Sequence, residues 1–308
     1  TSDGQMLFLV NMLSKMKQNT TLGSRIAHVH NGSALFTGDA GSGESNIRRW
    51  IIENDWLEAI VQLPDNIFYN TGISTYIWIL SNRKEERRKG KIQLIDASKW
   101  FEPLKRNLGK RNRELSEQHI QKIVEVFTRF EETEESKIFH SATFGYYKVT
   151  VERPLRAKDI DAETAYKAAE IKALKDAGKI SPDGLPVIKK IHGNHTKPEP
   201  LKGLFTQEIK GKNKVVEYEP DPELRDTEQV PLMHEGGIEC FISSEVLPYA
   251  PDAWIDESKT KIGYEISFTK HFYKPTPMRS IKEIVADIEA LEKEGDGLLQ
   301  EILRGLLL

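Results

Sequence analysis

The sequence predicts an α/β fold. Two observations carry this. Apolar residues at helical spacing alternate along the first hundred residues with short, strand-like apolar runs. Stretches rich in Gly, Asn, Asp and Ser punctuate them.

The elements follow in order. Ser2 and Gln5 have capping-box spacing. Met6, Leu9, Val10, Leu13 and Met16 then repeat at helical intervals, and residues 22–24 end the helix. RIAHVH, from Arg25 to His30, alternates as a strand, and residues 31–43 read as a turn-rich loop. Ser45 is placed to cap a helix that buries Ile47, Trp50 and Ile51. LEAIVQL (57–63), TYIWIL (75–80) and IQLI (92–95) are further strands. The first two of these are expected to form an antiparallel pair at one sheet edge. A doubly wound domain has more strands than this, so the sheet reads as the C-terminal part of a larger one.

Residues 116–131 form an amphipathic helix on Ile120, Ile123, Val124 and Phe127, and 146–151 a strand. Residues 161–175 are helix-like. Residues 176–235, rich in Pro, Gly, Lys and acids, read as an extended connector with one strand at 215–218. From Met278 a 3-4 spacing runs through Ile281, Ile284, Ile288 and Leu291. It breaks at Gly295–Gly297 and resumes at Leu298 and Ile302. That seam packs along another helix, either a partner's or the chain's own. The expected divisions are 1–155, the sheet-bearing part with a basic segment; 156–277, an extension and polar connector; and 278–308, a packing helix.

Composition bounds the chemistry. The 308 residues carry a net charge of −3 and one cysteine, Cys240. A disulfide framework and a cysteine-based zinc site are excluded, and a reducing, cytoplasmic setting fits. No apolar run approaches the roughly 20 residues of a membrane helix. The first residue is Thr1, which fits a piece of something longer.

FTGDAGSGESNIRRW (36–50) has the composition of a phosphate cradle. Gly38 and Gly43 stand at P-loop spacing, but Glu44 takes the lysine's position and would repel phosphate. Asp39 to Gly43 also looks like the glycine turn of S-adenosylmethionine-dependent methyltransferases. That turn should follow a buried strand directly, whereas NGSALFTG is already a loop. His28 and His30 share a strand face without a third ligand nearby, against a metal site.

Two stretches point to nucleic acid. Residues 82–113 hold twelve Lys or Arg against four Asp or Glu. Arg83, Lys84, Arg87, Arg88 and Lys89 lead it, and Lys105, Arg106, Lys110, Arg111 and Arg113 follow. Such a run either meets a polyanion or is a solvated face balanced by neighbouring acids. NIFYNTGIST places Phe68 and Tyr69 in a polar loop before a strand. Either both pack against the sheet rim or one offers a stacking face.

RIAHVHNGSALFTGDAGSGESNIRRWIIENDWLEAIVQLPDNIFYNTGISTYIWILSNRK closely resembles the modification subunit of type I restriction–modification systems, DNA adenine-N6 methyltransferases. The resemblance continues through GKIQLIDAS, VEYEPDPELRDTEQVPL and IGYEISFTKHFYKP. It implies the C-terminal part of a Rossmann-like sheet followed by a mixed, largely helical extension. It implies S-adenosylmethionine as the complete subunit's cofactor and DNA as substrate. It also implies a specificity subunit, a second modification subunit and a restriction subunit as partners. Asn31-Gly32 matches a strand-end motif near the active site. Phe68, with Tyr69 second, matches the aromatic that stacks on the flipped target base. The Asn-Pro-Pro-aromatic catalytic motif has no counterpart here, since the sequence contains no Pro-Pro pair. The expectation is an enzyme part inactive by itself. The alternative is a non-catalytic DNA-binding or assembly module.

Overall fold

The computed structural model describes residues 3–193, 195–275 and 278–306. The chain is mixed α/β and divides into two compact units, Thr1–His271 and Phe272–Leu308. The expected boundary near residue 155 is not one of the divisions.

In the first unit, α1 (Gly4–Ser14) precedes β1 (Arg25–Asn31). Asp3 caps α1, its carboxylate accepting from the amide of Gln5 at 2.8 Å. The expected cap, Ser2, lies outside the described residues. α2 (Gly43–Glu53), β2 (Leu57–Gln62), β3 (Thr75–Ser81) and β4 (Lys91–Asp96) follow. Next come the hairpin β5 (Glu102–Leu108) and β6 (Arg111–Glu114), then α3 (Glu117–Arg129) and β7 (Ser136–His140).

β1, β2, β3, β4 and β7 make one sheet in the order β1-β3-β2-β4-β7. β3 runs antiparallel between β1 and β2, and β2 runs parallel to β4. The antiparallel pair β2–β3 is therefore internal, not at the sheet edge expected from the sequence. β1 is the edge. Val61 and Ile95 on one face pack with Ile77 and Ile79 and with Ile123, Val126 and Phe127 of α3. Ile60, Trp78, Leu80 and Leu94 are fully buried. At about 25 cal/mol per Å², such residues dominate the stabilisation of the sheet.

The remainder of this unit is β8 (Gly145–Glu152), β9 (Arg156–Ala157), α4 (Ala168–Asp176), β10 (Leu185–Pro186), β11 (Ile188–Ile191), β12 (Phe205–Ile209), β13 (Lys212–Tyr218), β14 (Asp226–Pro231), α5 (Gly237–Phe241) and β15 (Trp254–Tyr264). β8 lies between β14 and β15 in one three-stranded sheet, and β11-β13-β12 make another. Residues 176–235 are thus not a loose connector. Ile188, Ile209 and Val216 bury a small core within them.

α2 differs from its expected face. Ser42, not Ser45, is its cap, and Ser45, Arg48, Ile51 and Ile52 are its buried residues. Trp50 is exposed and stacks edge-on against Trp56. Arg48 Nε donates to the Tyr264 carbonyl at 2.7 Å, and the Tyr264 amide donates to Ser45 Oγ at 3.1 Å. These bonds clamp α2 to β15.

α6 (Phe268–Phe272) follows, and the second unit contains α7 (Ile281–Leu306). α7 runs through Gly295 and Gly297 without the expected break. Ile281, Ile284, Ile288 and Leu291 of its seam are exposed. The side chains of Leu298 and Ile302 lie outside the described residues.

Candidate functional site

The parallel strands β1, β2 and β4 end together at Asn31, Gln62 and Asp96. Ligands of open α/β sheets gather beyond such carboxyl ends. Three features meet there: Asn31-Gly32, the loop 63–74 between β2 and β3, and the hairpin that leaves β4.

Asn31 caps a tight turn, its Oδ1 accepting from the Ser33 amide at 3.0 Å. Its own amide donates to Gln5 Oε1 at 2.9 Å. A Cβ on Gly32 would stand 3.2 Å from the Tyr76 ring, so glycine is what lets this turn close on that ring. Burial first, and Asp96 second, push the Tyr76 hydroxyl above its ordinary pKa. It remains a neutral hydrogen-bonding group.

Phe68 and Tyr69 are both exposed, Phe68 at 39% and Tyr69 at 60%. The sequence left open whether both pack on the sheet rim, and the structure places both rings toward solvent. The loop has a firm base. Asn66 and Asn70 occupy the left-handed region, which asparagine tolerates. The Asn66 carbonyl accepts from the amides of Asn112 (3.1 Å) and Arg113 (3.4 Å) in the hairpin. Arg113 also pairs with Asp65 and stacks 4.1 Å from the centre of the Phe101 ring. The Arg111 guanidinium stands 5.5 Å over the Tyr69 ring. Loop and hairpin form one braced surface.

The cations expected on DNA are elsewhere. β3 runs antiparallel to β1, so residues 83–89 emerge beside Arg25, at the opposite end of the sheet. With six or seven residues per strand, that is roughly 20 Å from the loop. Lys84 is buried, pairing with Asp55 at 2.5 Å and donating to the Lys91 carbonyl at 2.9 Å. Arg88 is buried between the Phe127 and Phe130 rings, 4.2 and 4.3 Å from their centres, and donates to the Phe127 carbonyl. Arg87 donates to the Thr128 and Arg129 carbonyls. Arg87 and Arg88 thus satisfy the last turn of α3, where cations also complement the helix dipole. Arg83 is exposed and donates to the Thr20 carbonyl, and Lys89 pairs with Glu86. The hidden signal was the helix end itself: bare carbonyls at 127–129 need donors.

The glycine stretch 38–43 does not fit a cofactor cradle. It follows a tight turn (Gly32–Leu35) rather than a strand. Asp39 pairs with Lys148 at 2.5 Å, and a Cβ on Gly41 would lie 3.1 Å from Lys261. Its space is filled by side chains of β8 and β15. Among the described residues no cluster of metal-ligating side chains exists. His28 Nδ1 and His30 Nε2 instead bond to each other at 2.7 Å. No helix of the described residues is long and apolar enough to cross a membrane.

The N-6 DNA Methylase family model matches residues 1–163, more than half of the chain. The chain belongs to the N-6 DNA Methylase family. Among similar proteins, the type I restriction enzyme MjaIX methylase subunit of Methanocaldococcus jannaschii is 34% identical over 179 residues, 58% of this chain and 29% of that protein. The MjaVII methylase subunit of the same organism is 40% identical over 112 residues, 36% of this chain and 18% of that one. The chain thus spans less than a third of the length of these relatives. A solved type I restriction-modification methyltransferase subunit from Streptococcus thermophilus matches 46% of this chain and 28% of its own, at 27% identity and TM-score 0.39.

Proposed function

We propose that this chain is part of a type I modification subunit and takes part in N6 methylation of adenine in DNA, with S-adenosylmethionine as methyl donor. The observation that carries this reading is the braced loop 63–74. It presents Phe68 and Tyr69 to solvent at the carboxyl edge of the sheet. Methylating an exocyclic amine requires the base to leave the duplex. An aromatic face compensates the lost stacking by about 1–3 kcal/mol per base. Phe68 is the platform, and Tyr69, propped by Arg111, stands beside it.

The reading assigns β1, β2 and β3 to the fifth, sixth and seventh strands of a Rossmann-like methyltransferase sheet. The antiparallel placement of β3 between parallel β1 and β2 supports it. Asn31-Gly32 then lines the approach to the active centre. The cofactor belongs to a part of the subunit other than the glycine stretch 38–43. No methyl-transfer step is assigned to the residues of this chain. The exposed seam of α7 supports helix packing on a specificity subunit.

The test is methylation by the assembled enzyme that contains this chain. Phe68→Ala should lower the methylation rate about 10-fold or more, in line with the loss of one stacking platform. A rate equal to wild type for Phe68→Ala and for Tyr69→Ala would overturn the reading.

A further inference from the structure

We infer that the β5–β6 hairpin, residues 102–114, is the element that grips the DNA backbone beside the extruded base. The inference rests on the reading of loop 63–74 as the base platform and adds the surface that holds the duplex there.

Three observations place it. The hairpin is on the same sheet edge as Phe68 and Tyr69, because it leaves the carboxyl end of β4. It is joined to their loop by the Asn66 carbonyl, by the Arg113–Asp65 pair and by Arg111 over Tyr69. A Cβ on Gly109, at the hairpin tip, would lie 3.5 Å from Asn70 Oδ1. A partner touching one must meet the other.

The second observation is charge. The hairpin holds Lys105, Arg106, Lys110, Arg111 and Arg113 against Glu102 and Glu114. Arg111 approaches Glu114 at 3.7 Å, and Arg113 pairs with Asp65. Among the described residues, Lys105, Arg106 and Lys110 are exposed and have no ion-pair partner. Cations 83–89 are engaged by the end of α3, by neighbouring acids and by the Thr20 and Lys91 carbonyls. Those of the hairpin are not.

The third is shape. Pro103 faces Arg113 and Leu108 faces Arg111, so β5 advances five residues while β6 advances two. The extra residues of β5 include Lys105 and Arg106. A bulge of this kind re-aims side chains out of the ladder. Here it throws two free cations outward near a tip that carries a third. That is an arrangement for phosphates spaced along a backbone rather than for one bound anion. The polyanion that also needs an aromatic platform next to it is DNA with a base turned out.

The experiment uses the assembled enzyme that contains this chain and a duplex carrying one unpaired 2-aminopurine. Fluorescence anisotropy at several salt concentrations reads backbone contact, and 2-aminopurine emission reads the platform. Each phosphate contact contributes about 0.9 to the slope of log affinity against log salt. Lys105→Ala/Arg106→Ala/Lys110→Ala should reduce that slope by about 2–3 and leave the emission change at saturation intact. Phe68→Ala/Tyr69→Ala should abolish the emission change and leave the slope. A triple variant with the wild-type slope overturns the hairpin assignment alone. Wild-type binding without an emission change overturns the platform and leaves the hairpin contact. Wild-type protein that fails to bind the duplex at low salt overturns both.

Discussion

Arg48 on α2 gives its Nε proton to the carbonyl of Tyr264, 216 residues further along the chain, at 2.7 Å. Its Nη1 donates to the Ala34 carbonyl at 3.1 Å and its Nη2 to the Gly38 carbonyl at 3.3 Å. The guanidinium is fully buried, and burial draws its pKa below the ordinary arginine value. Three converging carbonyls replace its water shell. The Ile266 amide adds a bond to the Leu35 carbonyl at 2.9 Å. The loop 34–38, α2 and the end of β15 are therefore one structure, and the residues after 155 help build the first sheet's surroundings.

Arg48→Met should destabilise the chain by about 3 kcal/mol, since two buried carbonyls and a partly buried third lose a charged donor. Arg48→Lys should recover little, because an ammonium cannot match a planar fork to three separate acceptors. Urea unfolding of both variants checks this. An unfolding midpoint for Arg48→Met equal to wild type would show that the clamp contributes nothing.

Arg88→Ala should act on stability rather than on DNA. The side chain fills the space between Phe127 and Phe130, donates to the Phe127 carbonyl and reaches Gln93 Oε1 at 3.2 Å. Its loss opens a cavity and orphans the end of α3, at a cost of about 2–4 kcal/mol. Thermal unfolding should show a clear drop. DNA affinity of the folded fraction should equal wild type. A drop in affinity with an unchanged melting curve would return this residue to the backbone-contact role.

These arginines mark the limit of what the sequence conveys. β2, β3 and β4 were legible because each is an apolar run bounded by turn formers. The Phe68–Tyr69 loop was legible because two aromatics among turn residues have few core uses. β5 was not legible: EPLKRNL has neither alternation nor an apolar face, and it is ordered by pairing with β6, whose Asn112 and Arg113 amides dock on loop 63–74. The face of α2 was misread because a buried Arg48 scores as polar in any periodicity, and its partner lies 216 residues away. Charge density alone could not separate the helix-capping cations at 87–88 from the free ones at 105, 106 and 110. Only the strand directions do.

Acid should weaken the fold through His30. It is buried against Trp78, and desolvation first, with His28 second, pulls its pKa down to about 4. In the unfolded chain it returns to the ordinary value near 6.5. Between these values the unfolded chain binds the extra proton, so stability is intact above about pH 6.5 and falls as pH drops toward 4. The full loss approaches about 3 kcal/mol. Urea midpoints across pH 4–7 should show this slope, and His30→Leu should flatten it. A wild-type midpoint independent of pH over that range would contradict the assignment.

β1 carries the last prediction. It pairs with β3 on one side, and among the described residues no strand pairs with its other edge. On one face of β1, Arg25, Ala27 and Val29 are exposed, and nearby α1 exposes Leu7 and Phe8. Unpaired strand groups beside apolar surface form a template for a further strand. The chain should therefore self-associate with rising concentration. Val29→Lys, which puts a charge on that edge without touching Trp78 or His30, should hold it monomeric. Sedimentation velocity over a concentration series reads both. A wild-type chain that stays monomeric throughout would mean that this edge is already protected.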